Sequence, residues 1–233
     1  MTNAIRKTYP SFHILFMDDN STDRSKEIIN AMADPMVTFY VRSPEKRGLA
    51  ASVIQGFEIA ETDYAICMDC DFQHPISALQ DIFNQMEAGA ELCVGCRTSR
   101  TSMGIKRALG SELVETFCKI DFMLHRKQTT RDMMSGLFGL RCEVFRPMIS
   151  SNWDNFEKKG WKVLMDFMKY MDRPVDVRYV IYTFGKRMEG ESHINPKVTI
   201  MTFHQLWGLG KIVSKTLCII YGIDYKEMYP AER

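Results

Sequence analysis

Four short apolar runs alternate with helix-patterned stretches, and that alternation constrains the fold more than any other feature. "FHILFM" (12–17), "MVTFYV" (36–41), "YAICM" (64–68) and "ELCVGC" (91–96) read as strands. Between them lie "RSKEIINAMA", "LAASVIQGFEIA" and "ISALQDIFNQMEAG", which read as helices, the first with Ile28, Ile29 and Met32 on one face. Strands separated by such helices imply an α/β chain with a parallel sheet covered by helices. The second half is less regular. Residues 103–125, 158–172 and 199–221 read as helices, "SGLFGLRCEVF" as a strand entering a helix, and 175–183 as a strand. No composition shift divides the chain, so 1–233 reads as a single domain.

Composition excludes some function classes. With 30 Lys and Arg against 29 Asp and Glu, the net charge of +1 gives no basic field for nucleic acid. Charge is uneven along the chain, however. Residues 48–96 hold eight acids and no Lys or Arg, whereas 97–131 hold eight Lys and Arg against three acids. That order suits a site for a cation beside anionic substrates, and equally two solvated faces of opposite sign. The N-terminal residues carry no apolar leader, and seven cysteines with no small-scaffold spacing suggest free thiols in a reducing, cytoplasmic setting. Val198–Gly210 has thirteen residues without Asp, Glu, Lys or Arg, short of the roughly 20 apolar residues that span a bilayer.

Ligands of open α/β sheets bind beyond the carboxyl ends of the strands. Two of the strands end in paired acids, Asp18-Asp19 and Asp69-Cys70-Asp71. Carboxylates gathered there need a cation or donors to offset their repulsion, and oxygen ligands select Mg²⁺ or Mn²⁺. The competing reading makes Asp18, Asn20, Ser21 and Asp23 turn formers and helix caps. Cys67-x-x-Cys70 and Cys93-x-x-Cys96 have zinc-ribbon spacing. They fall in or beside strands, with no glycine to turn a knuckle, so buried thiols are the better account.

"FMDDNSTDRS", "RGLAASVIQGFEIAETDYAICMDCDFQHP", "DMMSGLFGLRCEVF", "KKGWKVLMDF" and "FGKRMEGESHIN" occur in that order between about residue 12 and residue 196. Together they resemble the family 2 glycosyltransferases, and within them the dolichol-phosphate (polyprenyl-phosphate) mannosyltransferases. The resemblance implies a GT-A fold, Rossmann-like, with a mostly parallel sheet and helices on both faces. It implies inverting transfer of a sugar, mannose from GDP-mannose, to a dolichyl or polyprenyl phosphate with Mg²⁺ or Mn²⁺. By the same resemblance Asp71 and Gln73 hold the metal. Met17, Asp19, Asp69, Cys70, Asp71, Lys162, Arg187 and His193 line the nucleotide-sugar pocket. Arg97, Arg107, Ser111 and Ser135 receive the acceptor phosphate, with Asp132 and Gly136 in the loop where it enters. Asp71, Arg107 and Arg187 are the implied catalytic residues.

Three departures stand out. Family members carry a further strand between those at 12–17 and 64–68, and no counterpart is apparent here, so an open junction between them is expected. Cys70 replaces the usual Ala, and His193 the usual Lys. A glucosyl or related transferase acting on a polyprenyl phosphate therefore stays open, as does a non-catalytic partner subunit. A lipid acceptor and a helical stripe of Leu206, Leu209, Val213, Leu217 and Ile220, with Lys211 and Lys215 off it, suggest that 198–223 lies on the cytoplasmic surface of a membrane. The alternative packs that stripe on the protein's own core.

Overall fold

The computed structural model describes residues 5–6, 9, 11–70, 73–98, 105–185 and 196–230, except for the side chains of 46 and 105–108. The chain runs β1 (Ile14–Asp18), α1 (Ser25–Ala31), β2 (Val37–Val41), α2 (Leu49–Ile59), β3 (Tyr64–Cys67), α3 (Ile76–Glu87), β4 (Leu92–Arg97) and α4 (Ile105–Leu124). It continues with β5 (Phe138–Arg141), α5 (Cys142–Asn152), α6 (Val163–Tyr170), β6 (Val177–Tyr182), α7 (Pro196–His204), α8 (Gly208–Tyr221) and α9 (Tyr225–Met228). The strand–helix alternation of the first half is as the apolar runs foretell.

The strands form two sheets. β1 pairs with β2 in parallel, Ile14 opposite Val37. The second sheet has the order β3-β5-β4-β6, with β5 antiparallel to both neighbours and β6 parallel to β4. Within this second sheet β5 alone runs against the other strands. Its direction was not legible, because an apolar run looks the same either way.

Among the described residues β1 and β3 share no ladder, so the expected open junction is present. Both strands are half-buried throughout although both are apolar, whereas β4 is buried from Leu92 to Cys96. Helices bridge the seam. On one side α2 meets β1 at Gly56, where an added Cβ would lie 3.4 Å from Met17 Cγ. The same helix sends Phe57 onto Phe138 of β5, ring centroids 5.5 Å apart. On the other side Tyr9 stacks edge-on against Phe83 of α3 at 4.7 Å, and Arg6 pairs with Asp34 just before β2.

The larger core lies between the second sheet and α2, α5 and α6. At its centre Phe167 is fully buried, with Phe57, Phe145 and Phe156 rings 5.6, 6.1 and 5.8 Å away. The opposite face is covered by α3. It approaches β5 so closely that a Cβ on Gly139 would lie 2.6 Å from Ile82 Cγ2.

Several helical expectations need correction. α1 buries no residue, and Ile28 and Met32 of its apolar face are exposed. The helix expected over 158–172 begins only at Val163, because residues 157–162 form a loop around Gly160. The single helix expected over 199–221 is two, α7 and α8, broken at Gln205–Trp207. There the chain folds back so tightly that a Cβ on Gly210 would lie 2.6 Å from the Phe203 carbonyl oxygen. The stripe on 206–220 divides accordingly. Leu206 is buried and Val213 and Leu217 pack on the core, while Leu209, Ile212, Ile219 and Ile220 face outward.

Candidate active site

At the end of β1 the four turn residues take different parts. Asp18 accepts the Ser21 N–H at 3.0 Å, Asn20 adopts φ 65° and donates to the Arg42 carbonyl at 2.7 Å, and Asp23 accepts the Ser25 N–H at 2.9 Å. These are turn roles, and α1 itself begins without a side-chain cap. Asp19 instead turns inward. One of its oxygens pairs with Arg42 and lies 3.3 Å from Ser52 Oγ, and the other accepts the Gly48 N–H at 2.8 Å. The Arg42 guanidinium is wholly buried and also donates to Gln55 Oε1 and Ser52 Oγ, both at 2.8 Å. A buried guanidinium needs such partners, since its charge cannot reach water. Sequence reasoning missed Arg42, whose place after a β-branched strand is its one visible signal. The Met17 side chain is packed on Gly56.

Gly48, at φ 142°, opens α2 with no side-chain cap. The orphan N–H groups of that first turn are met instead by the 157–162 loop. Ala50 and Ala51 donate to the carbonyls of Gly160 and Lys158, at 3.2 and 3.4 Å. Lys162 closes the same loop and donates from Nζ to the Met134 carbonyl at 3.1 Å. The loop therefore joins the Asp19 corner to the 132–136 segment.

Beyond β3, the Asp69 carboxylate is half exposed and lies 3.4 Å from His74 Nε2. A Cβ on Gly136 would come within 3.2 Å of its Oδ2, so a side chain there would press on this carboxylate. Cys70 is exposed. Gln73 donates from its carboxamide to the Gly185 carbonyl at 3.2 Å, and its main-chain carbonyl accepts the Gly185 N–H at 2.8 Å. That anchors the orientation of its carboxamide. Carboxylate and carboxamide oxygens on either side of residue 71 are the hard donors that Mg²⁺ and Mn²⁺ take, so the donor set fits such a cation. No group of three or more His, Cys, Asp and Glu able to hold a metal stands among the described residues.

At the end of β4, Arg97 lies 3.6 Å from Asp132 and places its guanidinium 5.4 Å over the Phe184 ring. The same ring meets His74, centroids 5.3 Å apart. Phe184 thus ties the basic group of β4 to the acidic corner of β3. Ser135 is buried, its Oγ 2.7 and 2.9 Å from the Gly95 and Leu137 carbonyls. The hydroxyl expected to meet an acceptor phosphate shares its proton between these two carbonyls here and accepts the Leu137 N–H at 3.2 Å. Ser111 is half-buried on α4. Asp71, Arg187, His193 and the Arg107 side chain lie outside the described residues. Cys93 and Cys96 sit inside β4, where burial pushes their thiols up to about 12 and about 11, a setting for packing rather than for metal ligation.

Residues 1–148 match the family model described as Glycosyl transferase family 2. The chain is 32% identical over 202 residues to the dolichol-phosphate mannosyltransferase of Saccharomyces cerevisiae, covering 83% of this chain and 72% of that protein. Among solved structures, a mycobacterial protein superposes with a TM-score of 0.53 at 13% identity, covering 91% of this chain and 65% of that one. Glucosyl-3-phosphoglycerate synthase from Mycobacterium tuberculosis, solved with Mn²⁺, uridine diphosphate and phosphoglyceric acid, gives 0.51 at 13% identity, covering 91% and 68%. At such identities the two structures speak for a shared GT-A-type fold alone.

Proposed function

The chain belongs to glycosyl transferase family 2, and from that premise we propose that it transfers mannose from GDP-mannose to the phosphate of a dolichyl or other polyprenyl lipid. The observation that carries this reading is the meeting of Asp69, Gly136 and the Arg97–Asp132 pair beside one another at the strand ends. A carboxylate corner suited to a metal–diphosphate faces a loop held next to a guanidinium suited to a phosphate. The likeness to the yeast mannosyltransferase supports the choice of sugar and acceptor.

The chemistry asks little of a general base. A phosphate monoester is anionic at neutral pH and attacks the sugar C1 directly, in line with the departing diphosphate and with inversion. Arg97 binds the acceptor phosphate by charge-assisted hydrogen bonds, and Asp132 holds the guanidinium in place before the phosphate arrives. Asp19, fixed by Arg42 and the Gly48 amide, lines the nucleotide side. Asp71 and Gln73 would hold Mg²⁺ or Mn²⁺, which when bound offsets the charge of the leaving diphosphate. Arg107, Arg187 and His193 join the site by resemblance.

The lipid acceptor requires access to a membrane surface. No helix among the described residues is long and apolar enough to cross a membrane. The outward face of α8, with Leu209, Ile212, Ile219 and Ile220, and that of α4, with Leu113, Ile120, Met123 and Leu124, present the apolar surface for peripheral, cytoplasmic-side contact.

Arg97→Ala tests the assignment. The KM for dolichyl phosphate should rise more than tenfold while the KM for GDP-mannose changes little. An equal rise in both, or none, contradicts it. The second reading, a non-catalytic partner subunit, predicts no transfer in this assay at all.

A further inference from the structure

Beyond residue 148, where the family match ends, one carboxyl group stands at the centre of a buried network. Asp166 on α6 is 1% exposed. Its Oδ2 accepts the Glu157 N–H at 2.9 Å and the Gln205 side-chain amide at 3.1 Å. The same Gln205 amide also reaches the Lys162 carbonyl at 3.3 Å, so the two ends of the 157–162 loop hang on one side-chain pair. His204 holds the Glu157 carboxylate at 3.0 Å and stacks on Tyr229, centroids 3.5 Å apart. Lys159 Nζ donates to the Met228 carbonyl at 3.1 Å. α7 and α9 thereby clasp a loop that touches the active site but lies apart from it in sequence.

What the loop does at its outer edge gives this network a consequence. Its carbonyls complete the first turn of α2 through Ala50 and Ala51. The Lys158 carbonyl lies so near Gly48 that an added Cβ there would come within 2.3 Å. The Gly48 N–H is in turn a partner of Asp19. At its other end the loop presents Lys162 to Met134. An unmet N–H or a shifted turn inside such a chain of backbone contacts is transmitted, because buried groups have no water to replace a lost partner.

We propose that Asp166 is a positioning residue of this active site. Through the Glu157 amide and Gln205 it sets the shape of the 157–162 loop, and so the seats of Lys162 and of the Gly48–Asp19 turn. Asp166 touches no substrate. Burial raises its carboxyl to about 7, which is consistent with a group retained for its hydrogen bonds rather than for its charge.

The test compares Asp166→Asn, which keeps an acceptor oxygen, with Asp166→Ala, which does not. Should Asp166→Ala fail to fold, Asp166→Glu, which displaces the acceptor by one methylene, takes its place. Amide exchange in the ligand-free protein is read at Ala50, Ala51 and 157–162, with β4 as reference. Exchange there should quicken roughly tenfold in Asp166→Ala, stay near the parent rate in Asp166→Asn, and not change in β4. The second arm rests on the transfer reading. The KM for GDP-mannose should rise severalfold in Asp166→Ala with kcat nearly constant, and recover in Asp166→Asn. Faster exchange spread evenly through β4 would mark Asp166 as merely stabilising and overturn the proposal, as would unaltered exchange at the loop. If the parent protein transfers no sugar, the exchange arm still decides the role of Asp166, and the functional reading alone falls.

Discussion

Arg42 and Asp19 form an ion pair whose guanidinium is wholly buried, while the carboxylate also accepts the Gly48 N–H at 2.8 Å. The acid at the end of β1 is therefore part of the framework of the candidate site. Arg42→Met should leave that carboxylate without its counter-charge. Removing one partner of a buried pair costs about 3 kcal/mol, so the melting temperature should fall by roughly 6–12 °C for a chain of this size. Thermal unfolding followed by circular dichroism reads the change, and an unshifted melting temperature would count against the pair.

The metal assignment separates two acids ten residues apart, Asp71 and Asp81. Asp71→Asn should lower turnover by roughly a hundredfold or more and remove Mn²⁺ binding seen by calorimetry. Asp81→Asn, exposed on α3, should do neither. Equal activity of the two variants would refute the assignment.

Asp166 gives the fold a pH dependence of definite sign. Folded, it keeps its proton to about 7, chiefly because it is buried; unfolded, it loses the proton near the ordinary 3.8. Between these values the folded protein binds the extra proton, so stability from this group falls as pH rises from about 4 to about 7, then levels off. The groups around it are Glu157 on the loop, Lys169 on its own helix, Gln205 beyond α7, and His204 and Tyr229 one contact further out. Urea unfolding at pH 5 and pH 8 should show the parent losing on the order of 3 kcal/mol relative to Asp166→Asn. Parallel pH profiles would contradict the raised carboxyl.

The proposed membrane contact rests on the outward face of α8. Ile212→Asp combined with Ile219→Asp should weaken sedimentation with anionic liposomes by roughly tenfold or more, since each buried side chain is worth about 1.5–3 kcal/mol. Both positions are exposed, so the melting temperature should hold. Undiminished sedimentation would move the contact elsewhere.

These sites show how far the sequence could be read. The β1–β4 alternation was legible because period-2 and period-3.6 patterns differ, and the acids after β1 and β3 marked the strand ends. The role of Arg42 was not legible, because nothing local distinguishes a buried arginine from a solvated one. Helix α8 is apolar on two faces, and periodicity cannot say which meets the core; Val213 and Leu217 turned inward while Ile212 and Ile219 stayed out. The 157–162 loop interrupts a run that reads as helix, because its backbone serves α2 rather than α6. Such a partner lies about a hundred residues away and leaves no mark in the local pattern.

Sugar transfer itself is the central claim. Labelled GDP-mannose, dolichyl phosphate and Mn²⁺ incubated with the protein should carry label into the organic phase as a mannosyl phospholipid, and the anomeric configuration of the product should be inverted relative to the donor. Label that stays in the aqueous phase with every polyprenyl phosphate, under conditions where the protein is folded, would contradict the account.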